Sequence, residues 1–110
     1  MAESNINRNF YQNFEQFRNI PTTTTTYDFN WSVYDLLIFT PTYFGNILGM
    51  NVIIPKEYFS TTGDHTREIY IADQDGRRYT IFKIDNTHIG IRSSEQNSNY
   101  GINIFGIVVG

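Results

Sequence analysis

A chain of 110 residues fits one domain with a modest core, because a domain of this size buries only about two thirds of its unfolded surface. Its net charge of −3 excludes the basic footprint of a nucleic-acid binder and a polybasic membrane anchor. The absence of cysteine excludes disulfides, thiolate chemistry and sulfur-ligated zinc.

The first residues, "MAESNINRNF", lack the basic start and apolar run of a secretory signal. No apolar stretch approaches the roughly 20 residues of a spanning helix, so no membrane insertion is expected. The chain reads as soluble when expressed alone. Ile6, Phe10, Phe14 and Phe17 recur at spacings of four, four and three, the period of one helix face, with Ser4 or Asn5 as N-cap. Residues 1–20 are therefore expected to form a short amphipathic helix or stalk. Asn and Gln crowd its polar side and support an isolated helix weakly, so the Phe stripe must dock on its own domain or on a neighbouring copy. Residues 21–26 follow as "PTTTTT", where Pro21 ends a helix and five threonines prefer extended backbone: a linker or a first strand.

From residue 27 to 110 the pattern is that of strands and turns. Strands are expected at Tyr27–Trp31, Val33–Phe39, Asn46–Ile54, Arg67–Ala72, Arg77–Ile84, His88–Arg92 and Gly101–Val109. "DQDG" at Asp73–Gly76 and "DNT" at Asp85–Thr87 supply hairpin turns, and Pro41 and Pro55 fall where strands should stop. Nine Phe and eight Tyr against three Leu favour sheet over helix bundle. The expected fold is mainly β: an antiparallel β-sandwich, jelly-roll-like, of six to eight strands behind the N-terminal helix.

The closing strand is apolar on both faces, with Ile102, Ile104 and Val108 on one and Phe105, Ile107 and Val109 on the other. A strand with one wet face alternates apolar with polar. Either its own chain covers both faces or one face meets another subunit; on the second reading Phe10, Phe14, Phe17, Phe105, Ile107 and Val109 form an oligomer interface.

Catalytic and metal chemistry find little support. "DQDG" resembles the opening of a calcium loop, but the twelfth position falls on Ile84 or Phe82, where a Glu is needed. Asp64, His65 and Glu68 in "DHTRE" form a loop rather than a zinc site, since the chain holds only two histidines. No serine sits in a GxSxG elbow, and "NWS" at Asn30–Ser32 is an incidental glycosylation match. The expectation is a protein that is not an enzyme and takes no metal or other cofactor.

What remains is binding by aromatic and amide side chains. The loop Pro55–His65 places Tyr58 and Phe59 beside Asp64 and His65, and Ser93–Tyr100 is rich in amides and hydroxyls. Planar rings stack on sugars while amides and carboxylates bond hydroxyls. The same rings can also plug the end of a sandwich.

"SVYDLLIF", "VIIPKEYF" and "YGINIFGIVVG" together resemble the C-terminal tip of tailed-bacteriophage tail fibres and receptor-binding proteins, over Tyr27–Gly110. The resemblance implies a homotrimeric β-sandwich head in the virion's tail, adhering to a glycan or protein of the bacterial surface. A purely structural virion part, for trimerisation or for a baseplate or capsid fibre, is the alternative. No long shaft precedes the domain, so the helix would be a short stalk or the chain part of a longer fibre. If Tyr27–Trp31 is the first strand, antiparallel alternation places Tyr58, Phe59, Asp64, His65 and Asn86 at the receptor end. If that first strand does not exist, parity flips and Tyr43 and Phe44, the "DQDG" turn and "SSEQNSNY" with Asn97 and Asn99 are distal instead.

Overall fold

A computed structural model of the chain describes residues 10–49, 51–59 and 68–109, without the side chains of 10–14 and 109. Among these residues nine strands form two antiparallel sheets: β1 (Phe10–Arg18), β2 (Thr25–Asp28), β3 (Leu36–Tyr43), β4 (Asn46–Ile47), β5 (Val52–Pro55), β6 (Glu68–Ala72), β7 (Arg78–Asp85), β8 (His88–Ser93) and β9 (Tyr100–Val109). The first sheet runs β1-β9-β3, with β4 and β5 both on the far edge of β3; the second runs β2-β8-β7-β6. Alternate residues of both sheets meet in one core. Leu37, Phe39, Ile102 and Ile104 come from the first sheet, and Ile69, Ile71, Tyr79, Ile81, Ile89 and Ile91 from the second. The antiparallel sandwich follows from the period-2 pattern.

Residues 10–18 are a strand, not the expected helix. Spacings of four, four and three suit a helix face, yet the weak Asn- and Gln-rich helix competes here with a ladder of nine residue pairs against β9, from Phe10↔Val109 to Arg18↔Gly101. Phe17 pairs with Ile102 and turns inward, buried and with its ring 4.9 Å from Tyr27. Phe10 and Phe14 pair in register with Val109 and Phe105. Ser4, Asn5 and Ile6 lie outside the described residues.

Pairing explains the apolar closing stretch. β9 is bordered on one edge by β1 and on the other by β3, from Leu36↔Ile107 to Tyr43↔Tyr100. Its inner face is fully buried at Ile102 and Ile104, and Gly106 leaves the space that the Tyr34 ring fills. Its outer face is half-buried at Phe105 and Ile107. A row of apolar residues crosses that outer face through Ile53, Ile38 and Phe105 in register.

Four further boundaries differ from expectation. The Thr tract is linker only to Thr24, since Thr25 opens β2 and pairs with Ile91. Trp31 leaves the strand for a short 3₁₀ turn, Trp31–Val33, where the Asn30 side chain accepts the Ser32 N–H at 3.3 Å and the Trp31 indole N–H donates to the His88 carbonyl at 2.8 Å. Pro41 lies inside β3 rather than at its end. Its carbonyl accepts from Leu48 at 2.8 Å, on the edge away from β9. A residue's N–H and C=O share one edge of a strand, so the missing N–H faces the gap between β4 and β5, where no ladder needs it. Gly49, at φ +150°, breaks the expected single strand Asn46–Ile54 into that pair. Among the described residues no helix is long and apolar enough to cross a membrane.

Candidate functional site

The sandwich has two ends, and aromatic residues serve them differently. β1 begins at the end where Val109, Leu36 and Pro55 lie. The segment after β5 and the Asp85–Thr87 turn meet there, as strand alternation predicts. Phe59 is only 3% exposed, with its ring 4.8 Å from Trp31 and 5.9 Å from Phe39. It is a core plug, so the receptor-contact expectation for this residue gives way to burial. Tyr58 is exposed. Asn86 uses its carbonyl to accept the Trp31 N–H at 3.0 Å. The two segments line a hollow of about 140 Å³ that includes Lys56, Lys83 and Asn86. Asp64 and His65 lie outside the described residues.

The Asp85–Thr87 turn is built by its own side chains. Asp85 Oδ1 accepts the Thr87 N–H at 2.8 Å and the Thr87 hydroxyl at 3.1 Å, and lies 2.8 Å from His88 Nδ1. The Thr87 backbone donor first, then His88, hold the Asp85 carboxyl below its ordinary pKa.

At the opposite end β3 turns into β4 through Phe44 and Gly45, both left-handed at φ +52° and +81°. Gly accepts that conformation freely; a bulky Phe pays about 1 kcal/mol or more. The backbone nevertheless holds Phe44 out with 55% of its surface exposed, and its N–H donates to the Asn99 carbonyl at 2.8 Å. Tyr43 lies 4.5 Å from Phe44 and 4.7 Å from Tyr100, centroid to centroid. Three rings thus stand side by side at one edge of the sandwich.

Charged groups brace the third ring from beneath. The Arg77 guanidinium lies 3.4 Å from the centre of the Tyr100 ring, a stacked cation–π contact. The Tyr100 hydroxyl donates to Asp75 Oδ2 at 2.8 Å, the main reason its pKa is raised. Arg77 is held by Asp73 at 3.7 Å and Glu95 at 3.6 Å, and its Nε donates to the Glu95 carbonyl at 3.2 Å. Asp73 Oδ1 accepts the N–H groups of Asp75 and Arg77, each at 2.9 Å, and Gly76 takes φ +83°. "DQDG" is therefore a hairpin turn whose backbone is fixed by its first aspartate. Among the described residues no group of three or more His, Asp or Glu is placed to hold a metal.

The structure brings together Tyr43, Phe44 and Asn99, and with them Asn97, whose side chain accepts the Asn99 N–H at 2.9 Å. Tyr58 is exposed and Phe59 buried, with their rings edge to face at 5.8 Å. Arg77 was not singled out by sequence reasoning, and Tyr100 and Asp75 entered only as members of the Ser93–Tyr100 segment and the "DQDG" turn; the Tyr43↔Tyr100 pairing brings them to the same place as Tyr43. Such a surface can stack the apolar face of a sugar and offer hydroxyl partners at its rim. Compared with protein-family models, curated proteins and solved structures, the chain matches none.

Proposed function

We propose that the chain is a non-catalytic adhesion domain, the receptor-binding tip of a phage tail fibre, which holds a bacterial surface saccharide on the Tyr43–Phe44–Tyr100 platform. The observation that carries this reading is Phe44, a large apolar side chain kept exposed in a backbone conformation that penalises it. Backbone strain of this kind persists where the surrounding structure enforces it, and it concentrates at binding sites. The Phe44–Asn99 bond and the adjoining Tyr43 ring supply that enforcement.

Strand direction supports the same end. β1 runs from the Trp31 end toward the Tyr100 end, which supports the three rings as the end away from where β1 enters. Among the described residues one strand precedes β2, which shifts the alternation and supports reading Tyr43, Phe44, Asn97 and Asn99 as the distal set. Homotrimer formation, with a jelly-roll-like winding in the virion's tail, belongs to this proposal. The apolar row Ile53, Ile38 and Phe105 on the outer face supports self-association, Ile53 being 62% exposed. That row equally favours the rival reading, a structural virion part that assembles without binding a receptor.

Two measurements on the full chain test the proposal: its mass by sedimentation equilibrium, and its retention on immobilised bacterial envelope polysaccharides. A trimer that binds polysaccharide, with binding lost in Tyr100→Ala but the trimer intact, is the expected result. A trimer that binds none of the polysaccharides favours the structural part, and a monomer removes the fibre-tip reading.

A further inference from the structure

We infer a second binding site, on the outer face of the four-stranded sheet, for the carboxylate of an acidic sugar. A concavity of about 420 Å³ lies there, and Tyr70, Arg78, Thr80, Arg92 and Ser94 are among the residues lining it. Thr80 of β7 pairs with Arg92 of β8, and Arg78, two residues before Thr80, shares its face, so the two arginines are diagonal neighbours on one surface. Like charges at that spacing repel. Among the described residues one carboxylate faces them: Glu68 Oε2 lies 3.8 Å from Arg92, and the same oxygen accepts the Tyr70 hydroxyl at 2.8 Å.

The remaining capacity of the arginines points outward. Among the described residues Arg92 otherwise reaches Thr24 Oγ1, at a long 3.5 Å. Arg78 uses its backbone N–H on Ser94 Oγ at 2.9 Å, while its exposed guanidinium has no side-chain partner among the described residues. Arg78, Arg92 and Glu68 together leave one positive charge in a hollow on a chain whose net charge is −3. Two guanidinium forks side by side match the two oxygens of a carboxylate. Tyr70, 68% exposed, adds a ring wall, and Thr80 and Ser94 add hydroxyls. A bare oxyanion needs neither; a carboxylated sugar uses both.

This site goes beyond the ring platform and stands or falls separately from it, although Ser94 also lines the neighbouring hollow formed by Asp75, Arg77 and Tyr100. The test is a ¹⁵N NMR titration of the full chain with D-glucuronate, D-glucose and sodium sulfate at constant ionic strength. Glucuronate is expected to shift the Arg78, Thr80 and Arg92 signals saturably, and glucose is expected to leave them unmoved. Arg78→Gln and Arg92→Gln are each expected to weaken glucuronate about tenfold, a loss of about 1.4 kcal/mol, while Phe44→Ala leaves it unchanged. Tyr70→Ala should weaken glucuronate and spare sulfate. The inference is overturned if glucuronate gives no saturable shift, if the arginine variants bind it as the wild type does, or if sulfate alone binds. Shifts confined to Tyr43, Phe44 and Tyr100 would support the platform and refute this second site.

Discussion

Where β1 enters the sandwich, Phe59 folds inward onto Trp31 and Phe39; at the far end Phe44 is turned out, with Tyr43 and Tyr100 beside it. Both are phenylalanines that follow a strand, Phe44 directly after β3 and Phe59 after the 3₁₀ turn Lys56–Tyr58 that follows β5. The difference lies in what the backbone leaves them to fill. At the first end a 3₁₀ turn and the Asp85–Thr87 hairpin leave a gap over Trp31 that needs an apolar plug. At the second, the pairing Tyr43↔Tyr100 and a two-residue turn bring strands so close that the tip side chain has no interior to enter. An aromatic loop residue is thus read as core or as binding surface from the geometry of the turn that carries it.

The comparison breaks most sharply at Phe59. Phe59→Ala should cost about 3–5 kcal/mol, as for a buried ring removed from a packed core, measured by urea unfolding. A loss below about 1 kcal/mol would mean that the ring is no plug. Next, Gly106→Ala should cost about 1–3 kcal/mol by driving a methyl group into the Tyr34 ring, read from the same unfolding curves. Phe44→Gly should do the reverse at the far end. It relieves the left-handed strain and is expected to stabilise by up to about 1 kcal/mol while removing a ring of the proposed platform. If Phe44→Gly destabilises instead, the exposed ring is a packing element and the contrast between the ends fails.

The smallest expected effects separate the ends by pH. Asp85, at the entry end, has a pKa lowered from its ordinary 3.8, chiefly by the Thr87 N–H and then by His88. Its contribution is fully present above the unfolded value and is lost as pH falls through the lower folded one. Tyr100, at the ring end, has a pKa raised from its ordinary 10.0, chiefly by its bond to Asp75. Its contribution is present below that value and lost as pH rises through the higher folded one. Amide hydrogen exchange should therefore show the Asp85–Thr87 turn loosening in acid below about pH 4, and the Tyr100 contacts loosening in base above about pH 10. Asp85→Asn should remove the first change and Tyr100→Phe the second.

Much of the architecture was legible in the residues. Alternation in Ile89 and Ile91, in Ile69 and Ile71, and in Ile102 and Ile104 marked the inner faces, and "DQDG" and "DNT" marked turns through side-chain chemistry that acts within three or four residues. Residues 10–18 misled because Phe spacing alone does not separate a helix stripe from a strand, and the deciding partner, β9, lies some ninety residues away in sequence. Pro41 misled because its tolerance depends on which edge of β3 lacks a ladder. The proposed binding end was half legible: Tyr43, Phe44 and Asn99 offered aromatic and amide chemistry, while the sign of φ at Phe44 and the stacking of Arg77 under Tyr100 arise only from tertiary pairing.

The central claim, that the three-ring end is the binding face and the Trp31 end a plug, is tested most directly on an array of bacterial surface polysaccharides probed with the full chain, Phe44→Ala and Tyr58→Ala. The account predicts that wild type and Tyr58→Ala bind the same polysaccharides with equal strength and that Phe44→Ala binds about tenfold or more weakly. Binding that survives Phe44→Ala and is lost in Tyr58→Ala would contradict it.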